Sequence, residues 1–214
     1  MSGAVKGRRE PAFTVADFRT RAASLELHKP GDDFGDHHLN PDFAEMVRNK
    51  AVNRAAVLIP VIDYPDEPAV LLTKRTDKLR THSGQVAFPG GRIDPEDGDP
   101  ETAAVRECAE ETGIGADHIE IVGRLPDYMT GSGFRISPVL SVVRPGYAII
   151  PNPAEVDAVF EVPLAYLMDE ANHQRGSRMF QGRERFYYEM PYGERYIWGI
   201  TAGIIRLMYE RLYL

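Results

Sequence analysis

The fold of this chain is decided by a short glutamate-rich segment, Arg106-Glu107-Cys108-Ala109-Glu110-Glu111-Thr112-Gly113-Ile114. The pattern predicts a helix over 101–112, because Pro100 suits the first turn of a helix and Gly113 suits the position after its end. At about 100° per residue, the glutamates share one side of this helix: Glu107, Glu110 and Glu111. The opposite side carries residues that can pack into a core: Val105, Cys108, Ala109 and Thr112. The helix is therefore predicted to turn its acidic side away from the core.

The acidic side of the helix has two interpretations. Carboxylates three or four residues apart repel each other, at roughly 0.2–0.5 kcal/mol per pair in an isolated helix. They also lie in the C-terminal half of the helix, where the macrodipole disfavours anions. A divalent cation such as Mg²⁺ or Mn²⁺ would offset the repulsion, since both prefer oxygen ligands. Alternatively, the face is simply solvated, with Arg106 paired to Glu110 one turn later, and the helix alone leaves both interpretations open.

The segment before the helix favours the metal interpretation. Phe88-Pro89-Gly90-Gly91 predicts a short strand ending in a glycine turn, where the backbone can approach a ligand closely or adopt a positive φ. Strand, glycine turn, acidic loop and acidic helix together resemble the Nudix box, the motif of the Nudix hydrolase family. The second half of that motif, Arg-Glu-apolar-x-Glu-Glu-x-Gly-apolar, matches from Arg106 to Ile114, with Cys108 as the apolar residue.

The first half of the motif departs from the family pattern. The family has Gly, five residues, Glu and seven residues before the Arg, which would place the Glu at Gly98 and the Gly at Arg92. The loop is thus one residue longer than the general pattern, with Gly91 displaced and either Asp94 or Asp97 available in place of the Glu. The salt bridge made by that Glu in the family is therefore an open question, whereas the metal cluster is untouched.

A longer stretch narrows the resemblance to one branch of the family. Residues 71–91 read LLTKRTDKLRTHSGQVAFPGG, which is similar to the element that marks the coenzyme A pyrophosphatase branch. Thr76 replaces a serine of that pattern and keeps the hydroxyl. The longer acidic loop is also a feature of this branch, and residues 130–139 resemble its downstream loop and strand. The resemblance covers roughly Ala55 to Gly199.

The resemblance implies an α+β chain with the Nudix fold, a mixed β-sheet sandwiched between α-helices. It also implies a phosphoric anhydride hydrolase that uses Mg²⁺ or Mn²⁺ to cut coenzyme A, or its thioesters, into 3′,5′-ADP and 4′-phosphopantetheine. Two alternatives stay open: a Nudix hydrolase of another nucleoside diphosphate derivative, such as ADP-ribose or NADH, and a Nudix-fold binding module without catalysis. The binding module would be expected to have lost helix carboxylates, which this chain retains.

The site residues follow from the same resemblance. It implies as metal ligands Glu107, Glu111, Glu110 and the backbone carbonyl of Gly90. Arg106 would orient the acidic cluster. The general base that activates the attacking water stays open between Glu110 and Glu155. Glu155 precedes a predicted strand, so an ordinary loop acid explains it equally well.

Substrate binding is assigned to four residues around the motif: Arg75, Arg80, Phe134 and Arg135. Arg75, Lys78 and Arg80 lie between a predicted strand and the glycine turn, where they could meet the diphosphate or the ribose 3′-phosphate. Phe134 could stack on the adenine or pack in the core. His82 could donate to phosphate, although a loop histidine satisfied by the backbone is the commoner case.

Composition limits the remaining possibilities. The 214 residues are 43% hydrophobic and 27% charged, as in a globular protein, and the net charge of −7 argues against a nucleic-acid partner. A single cysteine excludes an internal disulfide and suits a reducing compartment. With no secretory signal and no membrane-length apolar run, we expect a cytoplasmic protein without a membrane partner. Its predicted partner is a small molecule resembling coenzyme A, and a homodimer stays open.

The rest of the chain predicts the frame around this site. Residues 1–50 are interpreted as an N-terminal extension, with a helix at 14–27 and a loop at 29–41, and residues 51–214 as the Nudix hydrolase domain. Strands are predicted at 55–62, 69–73, 85–88, 119–122, 137–143, 156–162, 186–190 and 196–198. An amphipathic helix over 200–212 is predicted to close the chain. Trp198 and nearby tyrosines are assigned to a late sheet or a subunit contact.

Overall fold

The computed structural model describes residues 13–25, 34–49, 53–78 and 82–214. Its helices are α1 (Val15–Ala23), α2 (Ala44–Asn49), α3 (Pro100–Thr112), α4 (Leu164–Leu167) and α5 (Ile200–Leu212). Its strands are β1 (Phe34–Gly35), β2 (Asn53–Ile62), β3 (Ala69–Arg75), β4 (Val86–Ala87), β5 (Gly90–Arg92), β6 (Ile119–Arg124), β7 (Tyr128–Met129), β8 (Phe134–Val143), β9 (Val156–Pro163), β10 (Gln174–Phe180), β11 (Arg183–Tyr192) and β12 (Arg195–Trp198).

A mixed β-sheet forms the centre of the molecule. Its strands follow the order β1–β7–β8–β2–β3–β4, with β5 on β2, β6 on β8 and β9 on β3. The central strands β2 and β8 run parallel along their whole length, from Asn53 beside Phe134 to Ile62 beside Val143. Both strands are apolar on both faces, because helices cover the sheet on each side. The start of β2, the start of β8 and the end of β3 consequently share one end of the sheet.

The two faces of the sheet carry separate hydrophobic cores. One core contains Phe18 of α1 and Ile204 and Met208 of α5. The other contains Ala104 and Cys108 of α3. The predicted α+β Nudix fold, a mixed sheet between helices, is therefore confirmed.

Local signals explain where the helices begin and end. Asp99 accepts a hydrogen bond from the Thr102 N–H at 2.7 Å before α3, and Pro100 occupies the first position. Gly113 follows the helix with φ of +80°, the left-handed conformation that favours glycine. Thr14 caps α1 in the same way as Asp99 caps α3, and α5 spans the predicted residues 200–212.

Several elements differ from the sequence-based expectations. The predicted loop at 29–41 contains β1, which pairs in parallel with β7. The sequence did not predict this strand, because its pairing partner lies far along the chain. Strand β10 was not predicted, since it is polar and largely exposed and lacks the alternation of a half-buried strand. It joins β11 and β12 in a second sheet, which contains Trp198 and the tyrosines assigned to a late sheet.

The N-terminal segment packs on the main domain. Val15, Phe18 and Ala22 of α1 are buried in the same core as α5. The predicted helix began one residue early, at Thr14, which is the cap, and its last residues lie outside the described part of the chain. Within the described ranges, no helix has the length and hydropathy needed to cross a bilayer.

Candidate active site

Arg106 organises the acidic side of α3. Its guanidinium donates to both carboxylate oxygens of Asp97, at 2.8 and 3.0 Å, and to Glu107 at 3.0 Å and Glu110 at 3.2 Å. It also donates to the backbone carbonyl of Arg92 at 3.2 Å. These bonds tie the helix to the acidic loop and to β5. The arrangement agrees with the orienting role that the resemblance implies for Arg106.

Asp97 makes the salt bridge that the family pattern gives to a glutamate. Its side chain is 4% exposed and also accepts the Asp94 N–H at 2.7 Å. Hydrogen bonds from Arg106 hold the pKa of Asp97 below its usual value. Asp94 lies farther from Arg106, at 3.7 Å, with a side chain 60% exposed. Asp97, one position before Gly98, therefore takes over the interaction that the sequence left open.

Glu111 is the carboxylate that the protein isolates most strongly. It is 2% exposed, and its nearest cationic group, an Nη of Arg75, lies 3.8 Å from Oε1. Its Oε2 is buried and has no hydrogen-bond partner among the described residues. Burial raises the pKa of Glu111 to about 8, and the negative charges of Glu107 and Glu155 add to this rise. The positive charge of Arg75 and the hydrogen bond from the Gly90 N–H lower the pKa in turn. A negative charge here is thus only partly compensated by the protein.

The three helix glutamates do not share one environment, which corrects the prediction of a common outward face. The Glu110 side chain is 54% exposed, that of Glu107 is 15% exposed, and Glu111 is buried. The Glu111 carboxylate lies beside Arg75 of β3 and accepts the Gly90 N–H of β5. A separate loop folds over the last turn of α3. In this loop the Ile150 N–H donates to the Thr112 carbonyl at 2.8 Å and the Asn152 N–H to the Glu111 carbonyl at 3.1 Å.

Glu107 lies against Gly91, and the predicted glycine turn is strand β5 rather than a turn. A Cβ on Gly91 would overlap the Glu107 carboxylate, and a Cβ on Gly90 would collide with the backbone of Ala56 and Val57 in β2. Neither glycine has a positive φ. Of the two properties that glycine offers here, the structure uses close packing and not a positive φ. Burial raises the pKa of Glu107 against the effect of Arg106.

Glu155 is brought to the same place by the loop over α3. Its carbonyl accepts the Thr76 N–H at 2.9 Å, next to Arg75. Its negative charge is close enough to raise the pKa of both Glu107 and Glu111. The structure therefore joins Glu155 to the acidic helix across about forty residues of sequence, a proximity that no local pattern signals. Its role as the base stays a prediction.

The basic residues around β3 are only partly placed. Arg75 ends β3, and its buried Nε has no hydrogen-bond partner among the described residues. Another nitrogen of the same guanidinium, an Nη, lies 3.8 Å from Glu111. Lys78 is exposed. His82 contacts the Gln85 side chain at 2.8 Å rather than the backbone, and Arg80 lies outside the described residues.

Phe134 and Arg135 begin β8 at the same end of the sheet. Phe134 is half-buried at the edge of the core, and the Arg92 guanidinium lies over its ring at 5.7 Å. Arg135 is 44% exposed and pairs with Asp127 at 3.6 Å. Phe134 is linked to the acidic helix through Arg92, whose carbonyl binds Arg106. The roles of Phe134 and Arg135 in substrate binding stay predictions.

The chemistry of the donor set fits a hard divalent cation. The carboxylates of Glu107, Glu110 and Glu111 supply oxygen ligands, and the unpartnered Glu111 oxygen is a buried acceptor that a cation would satisfy. In this structure Arg106 bridges Glu107 and Glu110, and no three acidic, histidine or cysteine side chains of the described ranges converge on one point.

Comparisons with known proteins agree with this geometry. A family model described as the NUDIX domain matches residues 52–181. Relatives named "Uncharacterized Nudix hydrolase NudL" from Yersinia pestis (strain Pestoides F) and from Yersinia pseudotuberculosis (strain IP 31758) are each 38% identical over 159 residues, which are 74% of this chain and 79% of the relative.

Solved structures of lower similarity show the same family name. The NUDIX domain of Shewanella oneidensis NrtR, complexed with ADP ribose, is 22% identical with a TM-score of 0.48, over 79% of this chain and 97% of that one. A Nudix hydrolase from M. smegmatis, RenU, is 24% identical with a TM-score of 0.46, over 55% of this chain and 74% of that one. From the family model and the NudL relatives, the chain belongs to the Nudix family and is a hydrolase of a nucleoside diphosphate derivative.

Proposed function

We propose that this chain hydrolyses the diphosphate linkage of coenzyme A or its thioesters. The observation that carries the proposal is the pairing of two features at one end of the sheet. One is the buried, undercompensated Glu111 beside Arg75. The other is the 71–91 stretch, similar to the coenzyme A pyrophosphatase element, which contributes Arg75 and packs Gly91 on Glu107.

The proposed cation site is formed by the carboxylates of α3 and by Gly90 at the start of β5. Glu107, Glu110 and Glu111, together with the Gly90 carbonyl, would hold Mg²⁺ or Mn²⁺. A bound cation of this kind neutralises diphosphate oxygens and lowers the pKa of a water molecule. The protein's own contribution is to hold the ligands in place, which Arg106 does by binding Asp97, Glu107 and Glu110 at once.

The proposed reaction is an attack of water on one phosphorus of the diphosphate. A new P–O bond forms, the bridging P–O bond breaks, and the bridging oxygen leaves with the other phosphate. Arg75 would donate to a diphosphate oxygen, a role supported by its buried Nε, which has no bond within the described residues. Glu155 or Glu110 would take the proton of the attacking water. Glu155 is favoured by its place beside Glu111 and Glu107.

Substrate selection is proposed to come from residues around this centre. Phe134, half-buried with Arg92 over its ring, is a candidate for the adenine. Arg80 and the exposed Arg135 are candidates for the ribose 3′-phosphate, whose charge distinguishes coenzyme A from ADP-ribose and NADH. We also propose that residues 51–214 form the catalytic domain and that residues 1–50 are an extension of it.

A substrate panel tests the proposal. The pure chain, with Mn²⁺ or Mg²⁺, is incubated with coenzyme A, dephospho-coenzyme A, ADP-ribose and NADH, and the products are identified by mass spectrometry. We expect 3′,5′-ADP and 4′-phosphopantetheine, with a higher kcat/KM for coenzyme A than for the substrates that lack the 3′-phosphate. Glu101→Gln, on the same helix but paired with Arg124 at 3.3 Å, serves as the active control. A preference for ADP-ribose or NADH would replace coenzyme A as the substrate, and no turnover of any substrate would remove the proposal.

A further inference from the structure

Asp36 is a carboxylate of the N-terminal segment that reaches the body of the domain. Its Oδ1 accepts the Tyr128 hydroxyl at 2.9 Å, and its Oδ2 accepts the Gly131 N–H at 3.1 Å. Both partners lie more than ninety residues away in sequence. Asp36 lines a cavity of about 190 Å³ and is therefore only partly buried. Asp36 thus joins the N-terminal segment to two distant residues, with one carboxylate oxygen bound to each.

The backbone on either side of Asp36 is built to bring it there. Gly35 pairs with Met129 in the parallel β1–β7 ladder, and a Cβ on Gly35 would collide with the Met129 carbonyl oxygen. On the other side, the Asn40 amide donates to the Asp36 carbonyl at 2.8 Å and exchanges hydrogen bonds with the Phe186 backbone at 2.9 and 3.0 Å. The segment is thus fixed on both sides of Asp36.

The loop that Asp36 binds is a closed turn. The Thr130 N–H donates to the Phe134 carbonyl at 2.9 Å, and the Gly133 N–H donates to the Thr130 carbonyl at 3.0 Å. The Phe134 N–H also donates to the Thr130 hydroxyl at 3.0 Å. These bonds set the shape of the turn but do not fix where it lies. The hydrogen bond from the Gly131 N–H to Asp36 links the turn to the N-terminal segment.

This turn is linked to the acidic helix through Arg92. Phe134 closes the turn and lies under the Arg92 guanidinium at 5.7 Å. The Arg92 carbonyl accepts Arg106 at 3.2 Å, and Arg106 binds Glu107 at 3.0 Å. A shift of the turn would therefore change the wall of the site where the substrate binds, while the carboxylates of α3 would keep their own support.

We propose that Asp36 is a positioning residue that holds the turn of residues 130–134 in place for the substrate, so that the N-terminal segment contributes to substrate recognition. The inference rests on the proposed function, in that this turn forms part of the substrate site. Because Asp36 does not touch the cation ligands, its loss should weaken substrate binding and leave the chemical step intact.

The test compares three variants by steady-state kinetics. Asp36→Ala removes the acceptor of the Gly131 N–H, and we expect KM to rise about tenfold with kcat within about twofold of the unchanged chain. Asp36→Asn should restore KM, because its amide oxygen can accept Gly131 while its amide nitrogen donates to the Tyr128 hydroxyl. Tyr128→Phe removes only the other hydrogen bond, so its KM should stay within about twofold although the fold is less stable.

Outcomes that overturn the inference are distinct from failure of the proposed function. Equal KM values for Asp36→Ala and the unchanged chain would overturn it, as would an equal rise in KM for Tyr128→Phe, which would indicate a general loss of stability. If ADP-ribose rather than coenzyme A is hydrolysed, the same comparison is made with ADP-ribose. Should Asp36→Ala not fold, amide hydrogen exchange of the unchanged chain decides the matter: a Gly131 N–H that exchanges as fast as an exposed amide has no bond to Asp36, and the inference falls.

Discussion

Glu111 at the end of α3 and Asp36 beside β1 are both carboxylates whose pKa is raised because the protein removes them from bulk water. Their hydrogen-bond partners differ. Each oxygen of Asp36 accepts a bond from the chain itself, whereas one oxygen of Glu111 has no partner among the described residues and its nearest guanidinium is 3.8 Å away. A buried charge that the fold leaves unsatisfied costs stability, so it is retained where a ligand will satisfy it. Under the proposed function, the comparison therefore separates a residue that holds the structure from one that would bind a cation.

The largest expected effect is on catalysis, and it tests whether Glu111 awaits a cation. Glu111→Gln keeps the size of the side chain but removes its charge, so we expect kcat to fall on the order of 1,000-fold. The matched control is Glu101→Gln, the same change at a half-buried residue of the first turn of the same helix, which pairs with Arg124 and should stay within about twofold. Near-normal turnover in Glu111→Gln would show that the buried carboxylate does not serve the reaction.

The second prediction concerns the pH dependence of cation binding. With the Glu111 pKa raised to about 8, a proton occupies this carboxyl at lower pH and must leave before a cation can bind. The affinity for Mn²⁺ should therefore rise about tenfold per pH unit below the pKa, and about 50-fold from pH 6 to 8, and should level off above it. The free Mn²⁺ signal in electron paramagnetic resonance measures this affinity without turnover. In Glu111→Gln the slope should be much shallower, and an equally steep slope there would assign the titration to another group.

The prediction from sequence succeeded where structure is local. The ends of α3 and α5 follow from caps and apolar spacing, so both were located within one residue. The acidic side of α3 was predicted as a single face, but the Glu111 side chain lies against Arg75 of β3 and Gly90 of β5, which only the tertiary fold brings to the helix. A helical projection contains no information on such neighbours.

Two further features of the site could not be predicted: which acidic residue of the loop binds Arg106, and which contacts form between residues distant in sequence. The family spacing pointed at Gly98, and either Asp94 or Asp97 could replace the missing Glu, because loop conformation decides which carboxylate reaches Arg106. No role was predicted for Asp36, since its partners Tyr128 and Gly131 lie more than ninety residues away in sequence. The glycine of β1 beside Asp36 was the one signal that a close backbone contact was needed there.

A smaller effect is expected from the residue that supports the cluster indirectly. Asp97→Asn leaves the α3 carboxylates in place but removes the charge that receives two bonds from Arg106. Residues that orient metal ligands in this way typically contribute tenfold or more, so we expect kcat/KM to fall about tenfold. Asp94→Asn, whose carboxylate is more distant from Arg106, is the comparison variant and should have a clearly smaller effect. If the two variants lose equal activity, Asp97 has not replaced the family glutamate.

The smallest effect, and the one that contrasts the two carboxylates directly, is on thermal stability without metal. Tyr128→Phe leaves the Asp36 charge with one donor fewer, which should cost about 2 kcal/mol and lower Tm by roughly 4–8 °C. Glu111→Gln removes a buried charge, so its Tm in the presence of a chelator should rise by a few degrees.

The size of this second shift in Tm depends on pH in a way that identifies its cause. A carboxyl whose pKa is raised from 4.5 to about 8 by folding favours the fold at low pH, where the carboxyl is protonated, and that advantage is lost as the pH rises toward 8. The gain in Tm from Glu111→Gln should therefore be largest near about pH 8 and should nearly vanish near about pH 5. Differential scanning calorimetry at both pH values measures it. A gain that does not change with pH would come from packing of the amide, and the contrast between a charge that the fold satisfies and one that it leaves open would then lose its thermodynamic basis.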